Sequence, residues 1–139
     1  MNQKEQSDHL FNEVRHLIKH GDMSAIRNLL DEGMSPNLAN KWGWTILILA
    51  AEEGNTALGE LLISRGADVN LPTANTDQPI TALESAIMSG RIRFAKLLLD
   101  KGAIPGPSIE GWLHWAPFSP KQAETLLAMV RAAREKRAT

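Results

Sequence analysis

Three histidines are the residues best placed for chemistry. His16 and His20 stand four residues apart and His9 lies seven before His16, so on one helix all three share a face and could hold a metal through their imidazole nitrogens. Histidines at helical spacing are more often partly buried or solvated surface residues, and no metal is expected here. Near the C-terminus Arg131, Arg134, Lys136 and Arg137 could contact phosphates. Cations in the last turns of a helix also complement its dipole, and no aromatic residue is interleaved among these four. Nucleic acid is therefore not expected as a partner. The chain contains no glycine-rich phosphate loop, no Gly-x-Ser-x-Gly elbow and no His-Glu-x-x-His zinc motif, which leaves no residue set that points to a reaction or a cofactor. The expectation is a protein that is not an enzyme.

The tryptophans point to binding instead. Four occur in a chain without tyrosine. Trp42 and Trp44 flank Gly43 in a stretch rich in turn formers, where large aromatics stand exposed. Exposed aromatic clusters mark interaction surfaces, and Trp is enriched among the residues that dominate binding energy. Trp44 has a second account, folding back over a neighbouring loop. Trp112 and Trp115 are expected to pack as a plug at the C-terminal end.

What positions these residues is an internal repeat. Gly21 with Gly33, Gly54 with Gly66 and Gly90 with Gly102 are each twelve positions apart, and the pairs recur after 33 and then 36 residues, a period typical of stacked helical repeats. Leu10, Phe11, Val14, Leu17 and Ile18 give a first amphipathic helix stopped by Gly21. Asp22 or Ser24 then caps a second helix that ends at Gly33. Pro36, Asn37, Asn40 and Gly43 make the link to the next hairpin an extended turn. Residues 45–53 with 55–65, and 81–89 with 92–101, repeat the hairpin. Ser119 and Pro120 start a long terminal helix with Ala123, Leu126, Leu127 and Val130 as its inward stripe and Arg131, Arg134, Glu135, Lys136 and Arg137 on its polar outer face. Residues 1–7 are polar and aperiodic, and are expected to be a disordered lead-in.

These motifs resemble the ankyrin repeat. The second unit carries the resemblance best, through Thr45, Leu47, Ala50, Ala51, Gly54, Leu61, Leu62, Gly66, Ala67, Asp68, Val69 and Asn70. The third keeps Thr81, Leu83, Ala86, Gly90, Leu97, Leu98, Gly102 and Ala103, the first mainly Gly21, Leu29, Leu30, Gly33 and Asn37. The resemblance implies an all-α solenoid of about four helix-turn-helix units joined by β-hairpin-like fingers, with units near 8–42, 43–78, 79–110 and 111–139. The family's Pro and His are replaced by Ile46 and Ile48 in the second unit and by Ala82 and Glu84 in the third. The histidine hydrogen bonds to the turn are therefore expected to be missing and stability to fall below the family norm. The second finger is three residues longer than the first, and either reaches a partner or is a tolerated insertion.

The resemblance further implies a protein-binding module that uses its finger tips and concave face. The residues expected to contact a partner are Lys41, Trp42 and Trp44 of the first finger, Asp77 and Gln78 of the second, and Glu52, Glu53, Met88 and Ser89 just before helix-ending glycines. Small free-standing members of bacterial type sometimes act as immunity proteins, so an inhibitor that masks a toxin or an enzyme stands beside an adaptor as the expected role. At 139 residues and 43% hydrophobic the chain is long enough to fold as one domain, and a monomer is expected in the free state. A formal charge of −1 provides no general attraction to nucleic acid or an anionic membrane. The charged residues in the first twenty exclude the apolar core of a signal peptide, no later stretch is long and apolar enough for a membrane span, and the absence of cysteine is compatible with a reducing compartment. A cytoplasmic location is the expectation.

Overall fold

The computed structural model describes residues 2–74 and 76–138. Among these, eight helices follow one another as four hairpins. They are α1 (Gln3–Lys19) with α2 (Met23–Asp31), α3 (Ile46–Glu53) with α4 (Thr56–Ser64), α5 (Ala82–Met88) with α6 (Ile92–Asp100), and α7 (Ile109–Trp115) with α8 (Pro120–Ala138). The first helices of the hairpins pack in one row, α1 on α3 on α5 on α7, and α4, α6 and α8 pack in another. Small residues make the first row close: Ala50, Ala51, Ala82 and Ala86 are all buried in it. A single apolar core runs the length of the stack from Phe11 to Val130. This is the all-α solenoid that the repeat period implies.

The periodic glycines fall into two conformational classes. Gly21, Gly54 and Gly90 follow the first helices at φ of 69°, 73° and 71°, whereas Gly33, Gly66 and Gly102 follow the second helices at 105°, 97° and 93°. The helix starts are also repeated. Thr45 and Thr81 cap α3 and α5, Asp22 and Asn55 cap α2 and α4, and Ser119 exchanges reciprocal bonds with Gln122 at the start of α8. Arg91 precedes α6 without a side-chain cap, and its Nε donates to Glu52 O at 3.0 Å instead.

Two helices run differently from the unit bounds read in the sequence. The segment 1–7 is helical from Gln3 onward, because Asn2 Oδ1 accepts from Glu5 N at 2.8 Å and the helix already nucleated at Leu10–Ile18 extends cheaply through Gln, Lys and Glu; Met1 lies outside the described residues. The boundary between third and fourth units at 110/111 falls inside α7, whose start at Ile109 is fixed by the burial of Ile109 and Leu113 on one face. The replaced histidines also have a structural consequence. Ile48 is fully buried, and Glu84 closes a capping box by accepting from Thr81 N and Thr81 Oγ1, both at 3.3 Å.

Successive fingers are tied by side chains about one repeat apart. Lys41 N donates to Asp8 Oδ1 at 2.7 Å, Asp68 N to Asn37 Oδ1 at 2.7 Å and Ile104 N to Asn70 Oδ1 at 2.7 Å, while Asn70 Nδ2 donates to Gly102 O at 3.2 Å. Asn70→Ala removes two of these bonds at once and is expected to cost about 1–3 kcal/mol, read from the urea midpoint at constant slope. An unchanged midpoint would show that water replaces both bonds without loss.

Candidate functional site

The first finger turns at Gly43, with Asn40 N donating to Trp44 O at 3.0 Å and Ile46 N to Leu38 O at 3.1 Å across an antiparallel bridge between Ala39 and Thr45. Asn40 Oδ1 accepts from the backbone N–H of both Trp42 and Trp44, at 3.0 Å each, and so fixes the backbone from which the two indoles project. The longer second finger folds against this turn. Ala74 N donates to Trp42 O at 2.8 Å, Thr73 N to Ile80 O at 2.8 Å and Ile80 N to Thr73 Oγ1 at 3.0 Å. Its backbone is thus tied to the first finger instead of projecting freely; Asn75 lies outside the described residues.

The fold brings four of the expected binding residues into one recess. Trp42, Trp44, Asp77 and Gln78, with Thr73, Thr76 and Ile80, line an open pocket of about 460 Å³. Trp42 is 51% exposed, while Trp44 is half-buried and packs against the core. On their other side the same two indoles border a second recess of about 290 Å³ with Phe11, Arg15, Asn40, Leu49 and Glu52. Glu52 and Glu53 then share a third, of about 280 Å³, with Arg15, Ile18, Lys19 and Leu49. A continuous surface therefore runs from the finger tips onto the first-helix row. Lys41 sits beside it, its Nζ 5.4 Å from the centroid of the Trp42 ring, and lines a recess toward Asp8 and Ala74.

Met88 and Ser89 are not part of this surface. Met88, 47% exposed, lies with Trp112, Trp115 and Ala116 around a separate recess of about 420 Å³, and Ser89 is half-buried and lines none of these recesses. Here the sequence expectation for the plug is corrected. Trp112 packs against the core, but Trp115 is 86% exposed, because α7 turns Ile109 and Leu113 inward and Trp115, two positions on, points away. Reasoning from the sequence missed this patch; Trp115 lying off the stripe of Ile109 and Leu113 was the signal.

The other chemical candidates are placed as follows. His16 and His20 stack with ring centroids 6.4 Å apart and both are exposed, and among the described residues no three His, Asp or Glu side chains gather into a metal-holding group. Arg134 is half-buried against α7, its guanidinium donating to Gly106 O at 2.6 Å and pairing with Glu110. It locks the last helix in place and so departs from the polar outer face expected of it, whereas Arg131 and Arg137 are exposed. No described helix is long and apolar enough to cross a membrane.

Comparison with known proteins agrees with this architecture. The family model for ankyrin repeats in three copies matches residues 14–108. Among curated proteins, "Ankyrin repeat, SAM and basic leucine zipper domain-containing protein 1" of Otolemur garnettii and of Pongo abelii are each 34% identical to the chain over 86 residues. Those matches cover 61% of this chain and only 18% of the relatives, so the likeness spans less than a fifth of their length. The repeat period, the two rows of helices, the finger ties and the family match together place the chain in the ankyrin-repeat family.

Proposed function

We propose that the chain binds a partner protein through the surface that begins at the Trp42–Trp44 recess and continues past Arg15, Leu49 and Glu52. Ankyrin repeats are generally protein–protein interaction modules and a non-enzymatic fold. The observation that carries the reading is the convergence of two indoles with Asp77 and Gln78 from a different finger, in one open recess. The site is held by backbone hydrogen bonds, so little ordering entropy is lost on binding. A central aromatic anchor with a polar rim is the usual anatomy of a hot spot. Masking a toxin or an enzyme is the narrower form of the reading; it requires the partner's activity to fall on binding.

The test is co-purification from native lysate, followed by titration of the purified partner, with wild type, Trp42→Ala and Trp115→Ala. Trp42 is the side chain to remove, since Trp44 also supports the core. Binding is expected to weaken about thirtyfold or more in Trp42→Ala, equivalent to a loss of roughly 2 kcal/mol, and to be unchanged in Trp115→Ala. A partner lost on Trp115→Ala alone would move the site to the C-terminal patch.

A further inference from the structure

From the chemistry of the finger recess, and resting on the reading above, we infer that it anchors an arginine side chain of the partner. Two indoles supply an aromatic wall, and aromatic faces attract cations through their quadrupole, Trp most strongly. The Trp42 ring already holds one cation within the chain, the Lys41 ammonium 5.4 Å from its centroid. Lys41 itself lines a different recess, so no basic residue lines the pocket and Asp77 is its one charged group. Among the described residues Asp77 has no ion-pair partner.

The rim decides which cation fits. Its one charged group is the acceptor-only Asp77 carboxylate, flanked by the Gln78 amide and the Thr76 hydroxyl, which can accept or donate, with the nearly buried Thr73 at its base. The two threonines each receive one backbone N–H, from Ile80 at 3.0 Å and from Gln78 at 3.4 Å, which leaves a further lone pair on each. A quaternary ammonium has no N–H and would leave these acceptors without donors. A lysine ammonium has three donors but a tightly held hydration shell. A guanidinium has five donors in a plane, is weakly hydrated, stacks flat on an indole and can meet a carboxylate with two parallel bonds. A volume of about 460 Å³ accommodates a long side chain entering from a protein surface.

The probe is N-acetyl-arginine amide, titrated at constant ionic strength into the ¹⁵N-labelled protein while the four indole N–H resonances are followed, with N-acetyl-citrulline amide and N-acetyl-trimethyllysine amide as comparators. Arginine is expected to shift the Trp42 and Trp44 indoles along one saturable curve, with the comparators at least about tenfold weaker. Asp77→Asn, on an exposed turn, is expected to weaken the arginine probe about fivefold to tenfold while leaving the rest of the spectrum in place. The inference is overturned if the two indoles do not move, if citrulline or trimethyllysine binds as tightly as arginine, or if Trp115 shifts with the same curve, which would mean unspecific stacking. Its failure is separable from that of the broader reading: a partner still lost on Trp42→Ala while the arginine probe is ignored would keep the surface and discard its ligand.

Discussion

Phe94→Ala is expected to remove about 3–5 kcal/mol of stability and to split the single unfolding transition. Phe94 is fully buried in α6, and the face of α4 that meets it carries Gly59. A Cβ added at Gly59 would lie 2.7 Å from both Cε2 and Cζ of the ring, so the aromatic edge rests against the helix backbone itself. Gly59 itself has no side chain to fill the space left by the ring, so a cavity is expected there. Because each hairpin touches only its neighbours, the loss falls on the coupling of the α3–α4 unit to the α5–α6 unit. The urea slope is therefore expected to fall along with the midpoint, since the two halves then unfold separately. The reverse substitution tests the same contact: Gly59→Ala is expected to destabilise by about 1–3 kcal/mol through overpacking, even though alanine is intrinsically better in a helix by about 1 kcal/mol. Phe94→Leu in the Gly59→Ala background should recover part of that loss. If Phe94→Ala costs under about 1 kcal/mol, the ring is not packed as described.

Gly43→Val is expected to cost about 2–4 kcal/mol and to take the Trp42–Trp44 recess with it. Gly43 has φ of 77°, in the region that a β-branched residue avoids, and an added Cβ would sit 2.2 Å from Ala74 N and 2.9 Å from Ala74 Cβ. The obstacle is backbone, so no rotamer relieves it. Ala74 N is also the donor to Trp42 O that holds the second finger on the first, and Asp77 and Gln78 follow it by only a few residues. Hydrogen exchange at the Ala74 amide is the direct readout, protected in the wild type and rising toward the open-chain rate in the variant. Gly106→Ala is the comparison, because that glycine has nothing within 4 Å and no left-handed φ; it should leave both stability and exchange nearly unchanged. Protection of Ala74 in Gly43→Val would mean that the fingers do not depend on this contact.

The sequence made the architecture legible because the repeat is written in residues with a narrow conformational role. Gly21, Gly54 and Gly90 mark helix ends, Thr45, Thr81 and Ser119 mark starts, and the leucine clusters mark the buried faces. Trp42, Trp44, Asp77 and Gln78 were also recognisable as candidates, but not their convergence. That depends on the second finger folding back through Ala74, and nothing local in Leu71–Ile80 announces a bond to Trp42 more than thirty residues away. The helical start at Gln3 was hidden because exposed polar residues carry no periodic signal when they merely extend a helix anchored elsewhere. Trp115 was misplaced for a related reason. A large aromatic near the end of a stack is a natural plug by composition, whereas its exposure follows from its angle around α7, which only the burial of Ile109 and Leu113 fixes.

The finger ties have a direction in time. In each of the three pairs, Asp8 with Lys41, Asn37 with Asp68 and Asn70 with Ile104, the accepting side chain precedes the donating amide by 33, 31 and 34 residues respectively. A ribosome adding about 5–20 residues per second therefore presents each acceptor roughly 2–7 s before its donor exists. Every new finger emerges to find its latch already set in the unit made before it, and the stack can close behind the growing chain one turn at a time, from the N-terminus forward.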